Sequence, residues 1–148
     1  MKENLICQFF SLYEQRINEA LMNPPKIDID ATVGAFAEVF IESSPAGVIT
    51  GKNDEEFRQM IPKGHEFYRS IGTTSMKISS LDVTRLDEFH WMSRVHWDSR
   101  YMKESVETRI EFDVIYFLRM QDLEPKIFAY ITGDEQKVLK DHGLLEHS

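Results

Sequence analysis

The stretch Phe89 to Tyr101, FHWMSRVHWDSRY, constrains the fold more than any other part of the chain. Read with a period of two, Phe89, Trp91, Val95, Trp97 and Tyr101 fall on one side, and His90, Met92, Arg94, His96, Asp98 and Arg100 on the other. A helix would scatter these two sets, whereas a long β-strand separates them into an apolar face and a charged one. The apolar face predicts a core or the wall of a pocket; the charged face predicts solvent or a subunit contact.

Strands of the same kind flank it. Lys103-Glu104-Ser105 has turn composition, and beyond it Ile110, Phe112, Val114, Tyr116 and Leu118 alternate with Arg109, Glu111, Asp113, Ile115 and Phe117, predicting a strand over 107–120. Upstream, residues 73–86 carry Met76 and Ile78, then Leu81 and Val83. The phase slips by one at Ser79-Ser80, the mark of a β-bulge. A connection from Asp122 to Pro125 leads to a last strand over 126–132.

The first half reads as helical. Ile6, Phe9, Phe10, Tyr13, Ile17, Ala20 and Leu21 form one face of a helix over 4–22, stopped by Asn23-Pro24-Pro25. Asp30 is the expected N-cap of a second helix with Val33, Phe36, Ala37 and Phe40 inward. Ser43 to Gly47 is turn chemistry, and Val48 to Gly51 a short strand. Asn53 with Glu56 predicts the start of a third helix, striped by Phe57, Met60, Ile61, Phe67, Tyr68 and Ile71 and stopped at Gly72. Pro62 predicts a kink or break within 59–64. Thr132 with Glu135 opens a short final helix that stops at Gly143.

Helices first, then long strands joined by short turns, predict one α+β domain over residues 1–148. The sheet is expected to be mostly antiparallel and so strongly curved that it is cone-shaped, with the N-terminal helices on its concave face. A net charge of −8 argues against general nucleic-acid binding, which needs a basic footprint. No stretch approaches the roughly 18 apolar residues of a membrane span. The amino terminus lacks a signal-peptide apolar region, and the single cysteine, Cys7, fits a reducing compartment, so a cytoplasmic location is expected.

In this order of elements the chain resembles the nuclear transport factor 2-like superfamily, which includes ketosteroid isomerases, SnoaL-type polyketide cyclases and limonene epoxide hydrolase. The resemblance rests on Leu12-Tyr13 in the first helix, Gly34 to Phe40, the turn with Pro45 and Gly51, the third helix and the strand meander. The closing segment Ile127 to Gln136, continuing through Asp141 to Leu144, resembles an uncharacterised bacterial subgroup. The isomerases use a helix tyrosine and a protonated strand aspartate as hydrogen-bond donors, with a second aspartate as base. The resemblance puts Tyr13 and Asp113 at the donor positions and Ser44 at the base position; a lone serine cannot serve as base near neutral pH. The hydrolases' aspartate–arginine–aspartate set has its residue types in Arg94, Asp98, Arg100 and Asp113, but those on the opening strand lie opposite its tryptophans.

No metal or cofactor is expected: His90 and His96 stand about 20 Å apart along an extended strand, too far for one ion. The aromatics Phe36, Phe40, Tyr68, Trp97, Tyr116, Phe128 and Tyr130, with Ser44, are the candidate lining of a pocket for a small hydrophobic molecule. The same rings could instead fill the core solidly, leaving a homodimeric interaction module that uses the outer face with His90, Arg94, His96 and Arg100. A homodimer is compatible with either reading.

Overall fold

The computed structural model describes residues 2–145. Helix α1 (Lys2–Ala20) is followed by a single turn of helix, α2 (Ile29–Val33), and by strands β1 (Phe36–Ser44) and β2 (Gly47–Lys52). Helix α3 (Glu55–Ser70) then leads into β3 (Thr73–Arg85), β4 (His90–Lys103), β5 (Val106–Gln121), β6 (Glu124–Ile131) and helix α4 (Glu135–Asp141). The strands form one curled, open sheet in the order β2-β1-β6-β5-β4-β3, antiparallel except where β1 runs parallel to β6. The α+β class, the curvature and the helix-covered concave face are as expected.

The period-two reading holds for the apolar face within β4, but Phe89, expected on that face, precedes the strand and is exposed, and Asp98 of the charged set is buried. Trp91, Ser93, Val95, Trp97, Ser99 and Tyr101 are buried, and the concave core continues through Val114, Tyr116, Leu118, Met120 and Ile127 to Ile6 and Phe10 of α1. The bulge expected at Ser79-Ser80 is a register shift between Ile78 and Ser80, which returns Leu81 and Val83 to the core side. Two tight turns join the long strands, with positive φ at Glu104 and Ser105 and again at Asp122 and Leu123, the geometry that matches strand twist in two-residue hairpins.

Other expectations are corrected. Phe36, Ala37 and Phe40 lie on a strand, not a helix. Phe36 and Phe40 are four residues apart, which satisfies both helix and strand periodicity. Gly34 caps α2, and the segment beyond it gains ladder partners on both sides from β2 and β6. The helix caps also move. Asp28 caps α2, Asp54 caps α3 and Asp134 caps α4, each accepting a bond from the amide three residues on. Asn53 instead donates to the carbonyls of Val33 and Phe36, tying α2 to β1. Pro62 lies within α3 without ending it. The missing ladder bond is outweighed by docking of Phe57 and Ile61 on the inner side. Among the described residues no helix is long and apolar enough to cross a membrane.

The outer edge of the sheet is closed by α1. β3 is an edge strand, and the free N–H and C=O of its Met76 face the helix. The Asn18 amide donates to the Met76 carbonyl (2.6 Å) and accepts from the Met76 N–H (2.9 Å), as a neighbouring strand would. One turn earlier, Glu14 accepts from the Ile78 N–H. This pairing satisfies backbone groups at an otherwise open edge and fixes the height of α1 over the sheet. Replacing Asn18 with alanine leaves both Met76 groups without their partner, and a loss of about 2 kcal/mol of unfolding free energy is expected, measurable as a lowered urea midpoint.

Candidate functional site

Strand register assembles the site. On the concave face Glu42 of β1 is the Cα partner of Tyr130 of β6, and Tyr130 is the partner of Tyr116 of β5. These three side chains form a row across the sheet, and Tyr13 of α1 lies over its far end, with ring centroids 6.1 Å from Tyr116 and 6.4 Å from Trp97. Between this row and the helices lies a cavity of about 690 Å³. Tyr13 and Ile17 line it from α1, Leu21 from the turn just past that helix, and His65 and Tyr68 from α3. Met76, Trp97, Phe112, Val114 and Phe36 complete its inner wall. Its mouth is bordered by Ser44 to Gly47 and by Thr132 to Gln136.

The polar groups have distinct states. Burial raises the pKa of Tyr13 and raises that of Tyr116 further, so both hydroxyls stay protonated at neutral pH and can donate hydrogen bonds. Tyr130 is pushed the same way by burial and by neighbouring Glu42. The Tyr68 hydroxyl lies 2.8 and 2.7 Å from the two carboxyl oxygens of Glu135, to which it donates. Glu135 stands at the rim; desolvation raises its pKa, with Glu42 adding to the effect and the Tyr68 bond opposing it. Burial and nearby Arg69 lower the pKa of His65, which is therefore neutral at pH 7. The arrangement offers aromatic walls, phenolic donors and two carboxyl groups. Among the described residues no group of three or more His, Cys, Asp or Glu is placed to hold a metal ion.

Of the residues singled out in the sequence, Tyr13, Phe36, Ser44, Tyr68, Trp97, Tyr116 and Tyr130 line this cavity. Three do not. Phe40 lies behind Phe36, in an aromatic cluster with Phe57 (centroids 5.0 and 5.1 Å), and its ring covers Gly51, where any Cβ would collide with it. Phe128 is turned out by a bulge: Ile127 pairs with Leu118 and Ala129 with Phe117, so Phe128 is out of phase and packs on His90 and Phe117. Asp113 lies on the convex face because Phe112 and Val114 point inward. Its carboxylate receives bonds from His96 (2.5 Å) and Arg94 (2.9 Å), which hold its pKa below the usual range. It is an ionised acceptor on the face opposite Tyr13, and the donor pair suggested by the isomerases is not assembled. The Ser44 hydroxyl is used in its own turn, accepting from the Ala46 N–H.

Glu42, His65 and Glu135 were not singled out as cavity residues. Glu42 is legible once β1 is read as a strand, since it is in phase with Phe40 and Ser44. Glu135 and His65 depend on how α4 and α3 close the cone, which no local pattern encodes.

The arrangement of helices and curled sheet matches known proteins. A family model for an NTF2-like protein (DUF6841) matches residues 2–135. The chain belongs to this NTF2-like family. Among solved structures, an NTF2-like protein of unknown function from Shewanella oneidensis is 18% identical, with a TM-score of 0.63 over 90% of this chain and 100% of its own. An NTF2-like protein with a cystatin-like fold from Novosphingobium aromaticivorans is 11% identical, with a TM-score of 0.69 over 99% of this chain and 90% of its own. A ketosteroid isomerase-like protein from Erwinia carotovora atroseptica is also 11% identical, at a TM-score of 0.56 over 88% and 91%. At these identities the likeness is one of NTF2-like fold alone. No curated protein matches the sequence.

The convex face of this NTF2-like sheet is laced with charge. His96 bridges Asp113 and Glu111, Arg100 reaches Asp98 and Glu107, and Arg109 reaches Asp98 and Glu111. Bonds donated by its ring to Asp113 and then to Glu111 raise the pKa of His96 above its ordinary 6.5. Its stabilising contribution is complete below the unfolded value and is lost as pH rises through the folded one. Accordingly, the stability advantage of wild type over His96→Gln, read from urea midpoints, is expected to be largest at about pH 5–6.5 and to shrink toward pH 8.

Proposed function

We propose that this NTF2-like protein binds a small, largely apolar organic molecule in the cavity beneath α1. The observation that carries the reading is the register-aligned row Glu42–Tyr130–Tyr116 bordering a cavity of about 690 Å³. That volume lies within the range of small-molecule sites, and a mostly apolar wall with a few convergent polar groups is their usual form. Ile17, Leu21, Met76, Val114 and Trp97 supply contact area; the hydroxyls of Tyr13, Tyr116 and Tyr130 orient a polar group on the ligand.

The alternative, an interaction module joined through the convex face, has less support. His90, Arg94, His96 and Arg100 each have a carboxylate partner within the chain, in Asp87, Asp113, Glu111 and Asp98. A partner surface would have to replace those pairs at little net gain.

The neutral dye N-phenyl-1-naphthylamine is expected to bind wild type at one site with a rise in fluorescence. Val114→Trp, which fills the cavity, should abolish the rise, and Phe128→Leu on the convex face should leave it intact. Absence of binding by wild type, or equal binding by the Val114→Trp variant, would refute the reading.

A further inference from the structure

The chemical character of the cavity narrows its ligand, on the condition that it binds one at all. Its carboxylates are Glu42, Asp134 and Glu135, and among the described residues no lysine or arginine lines it. Asp134 is occupied as the N-cap of α4, where it accepts from the Lys137 N–H. Glu42 and Glu135 both line the space, one on β1 and one at the start of α4, close enough that each charge is felt by the other. The two guanidinium groups nearby are engaged elsewhere. Arg69 donates to the Ala20 carbonyl, and Arg16 lies over the ring of Tyr13, 5.9 Å from its centroid.

The walls have the same polarity. Trp97, Tyr13, Tyr116, Tyr130 and Phe36 form a continuous arc, successive centroids lying 6.4, 6.1, 6.2 and 6.4 Å apart. Aromatic faces carry partial negative charge, and one ring of this arc, Tyr13, already has the Arg16 guanidinium of its own helix over it. An anion entering here would meet two carboxylates and, among the described residues, no lysine or arginine lining the space to pair with it. A neutral ligand would gain apolar contact but no ion pair with Glu42 or with Glu135, whose neighbour Tyr68 supplies a hydrogen bond but no charge.

We propose that the ligand is an organic cation, an amine or quaternary ammonium on an apolar body, whose charge sits against Glu42, Glu135 and Tyr130 while the body lies along Trp97, Tyr116 and Val114. The reading extends the pocket hypothesis above and fails separately from it.

Three probes of matched size test it: trimethyl(2-phenylethyl)ammonium, its uncharged carbon isostere (3,3-dimethylbutyl)benzene, and the anion 4-phenylbutyrate. Titrations followed by the methyl resonance of ¹³C-labelled Met76 report binding inside the cavity. The cation is expected to bind at least about ten-fold more tightly than the isostere, because ion pairing and ring contacts must exceed the cost of stripping water from the ammonium. The anion is expected to bind weakest. In the double variant Glu42→Gln and Glu135→Gln the preference for the cation should fall to about three-fold or less, while the isostere binds as it does to wild type and so reports an intact cavity. Equal or tighter binding of the isostere by wild type would overturn the cation assignment and leave the pocket reading standing. A preference that survives the double substitution would overturn the assignment to these carboxylates. No shift of Met76 with any probe would overturn both.

Discussion

The pairing of Asn18 with Met76 is the contact on which the rest of this structure depends. A curled sheet with an apolar concave face must be covered, and a helix laid flat on it would expel the remaining space. Here α1 is held at the rim by a side-chain amide acting as a strand neighbour, with Glu14 one turn away. Ile6 and Phe10 near its start are fully buried against the sheet, while Tyr13 and Ile17 farther along it and Leu21 just past it border open space. The cavity thus lies beside the second half of the helix, the half that Asn18 ties to the sheet edge.

The same sheet separates two electrostatic environments. On the convex face opposite charges are interleaved, so that Arg94, His96, Arg100 and Arg109 are each matched with carboxylates across strands. On the concave face the carboxylates near the mouth lack that matching, and aromatic rings take the place of basic groups. Strand alternation accounts for both: Asp113 lies between Phe112 and Val114 and is committed to the outer network, whereas Glu42 alternates with outward Ile41 and Ser43 and is committed to the cavity.

Much of this was legible in the chain. The alternation of Trp91, Val95 and Trp97 reads directly as the concave face, and the phase slip at Ser79-Ser80 reads as a bulge because period two tolerates no other single-residue insertion. What was hidden has physical causes. Phe36 and Phe40 fit a helix as well as a strand, and only pairing with β2 and β6 decides between them. The bulge at Phe128 leaves no trace in an apolar run such as Ile127-Phe128-Ala129-Tyr130, where either phase puts an apolar side chain inward. Caps at Asp28, Asp54 and Asp134 compete with Asp30, Asn53 and Thr132, residue types of similar capping strength, and the winner is set by where each helix docks. That Glu42 and Glu135 line one cavity is a property of closure between segments distant in the chain.

Methyl NMR against a library of small organic fragments measures most directly whether the space beneath α1 is the binding site. Fragments that bind should shift the methyl groups of Ile17, Leu21, Met76 and Val114 together while leaving Val39, Ile41 and Leu86 on the exposed surface unmoved. Shifts confined to those exposed methyls, or none across the library, would mean that the cavity is not a ligand site and that the aromatic arc serves only to support the fold.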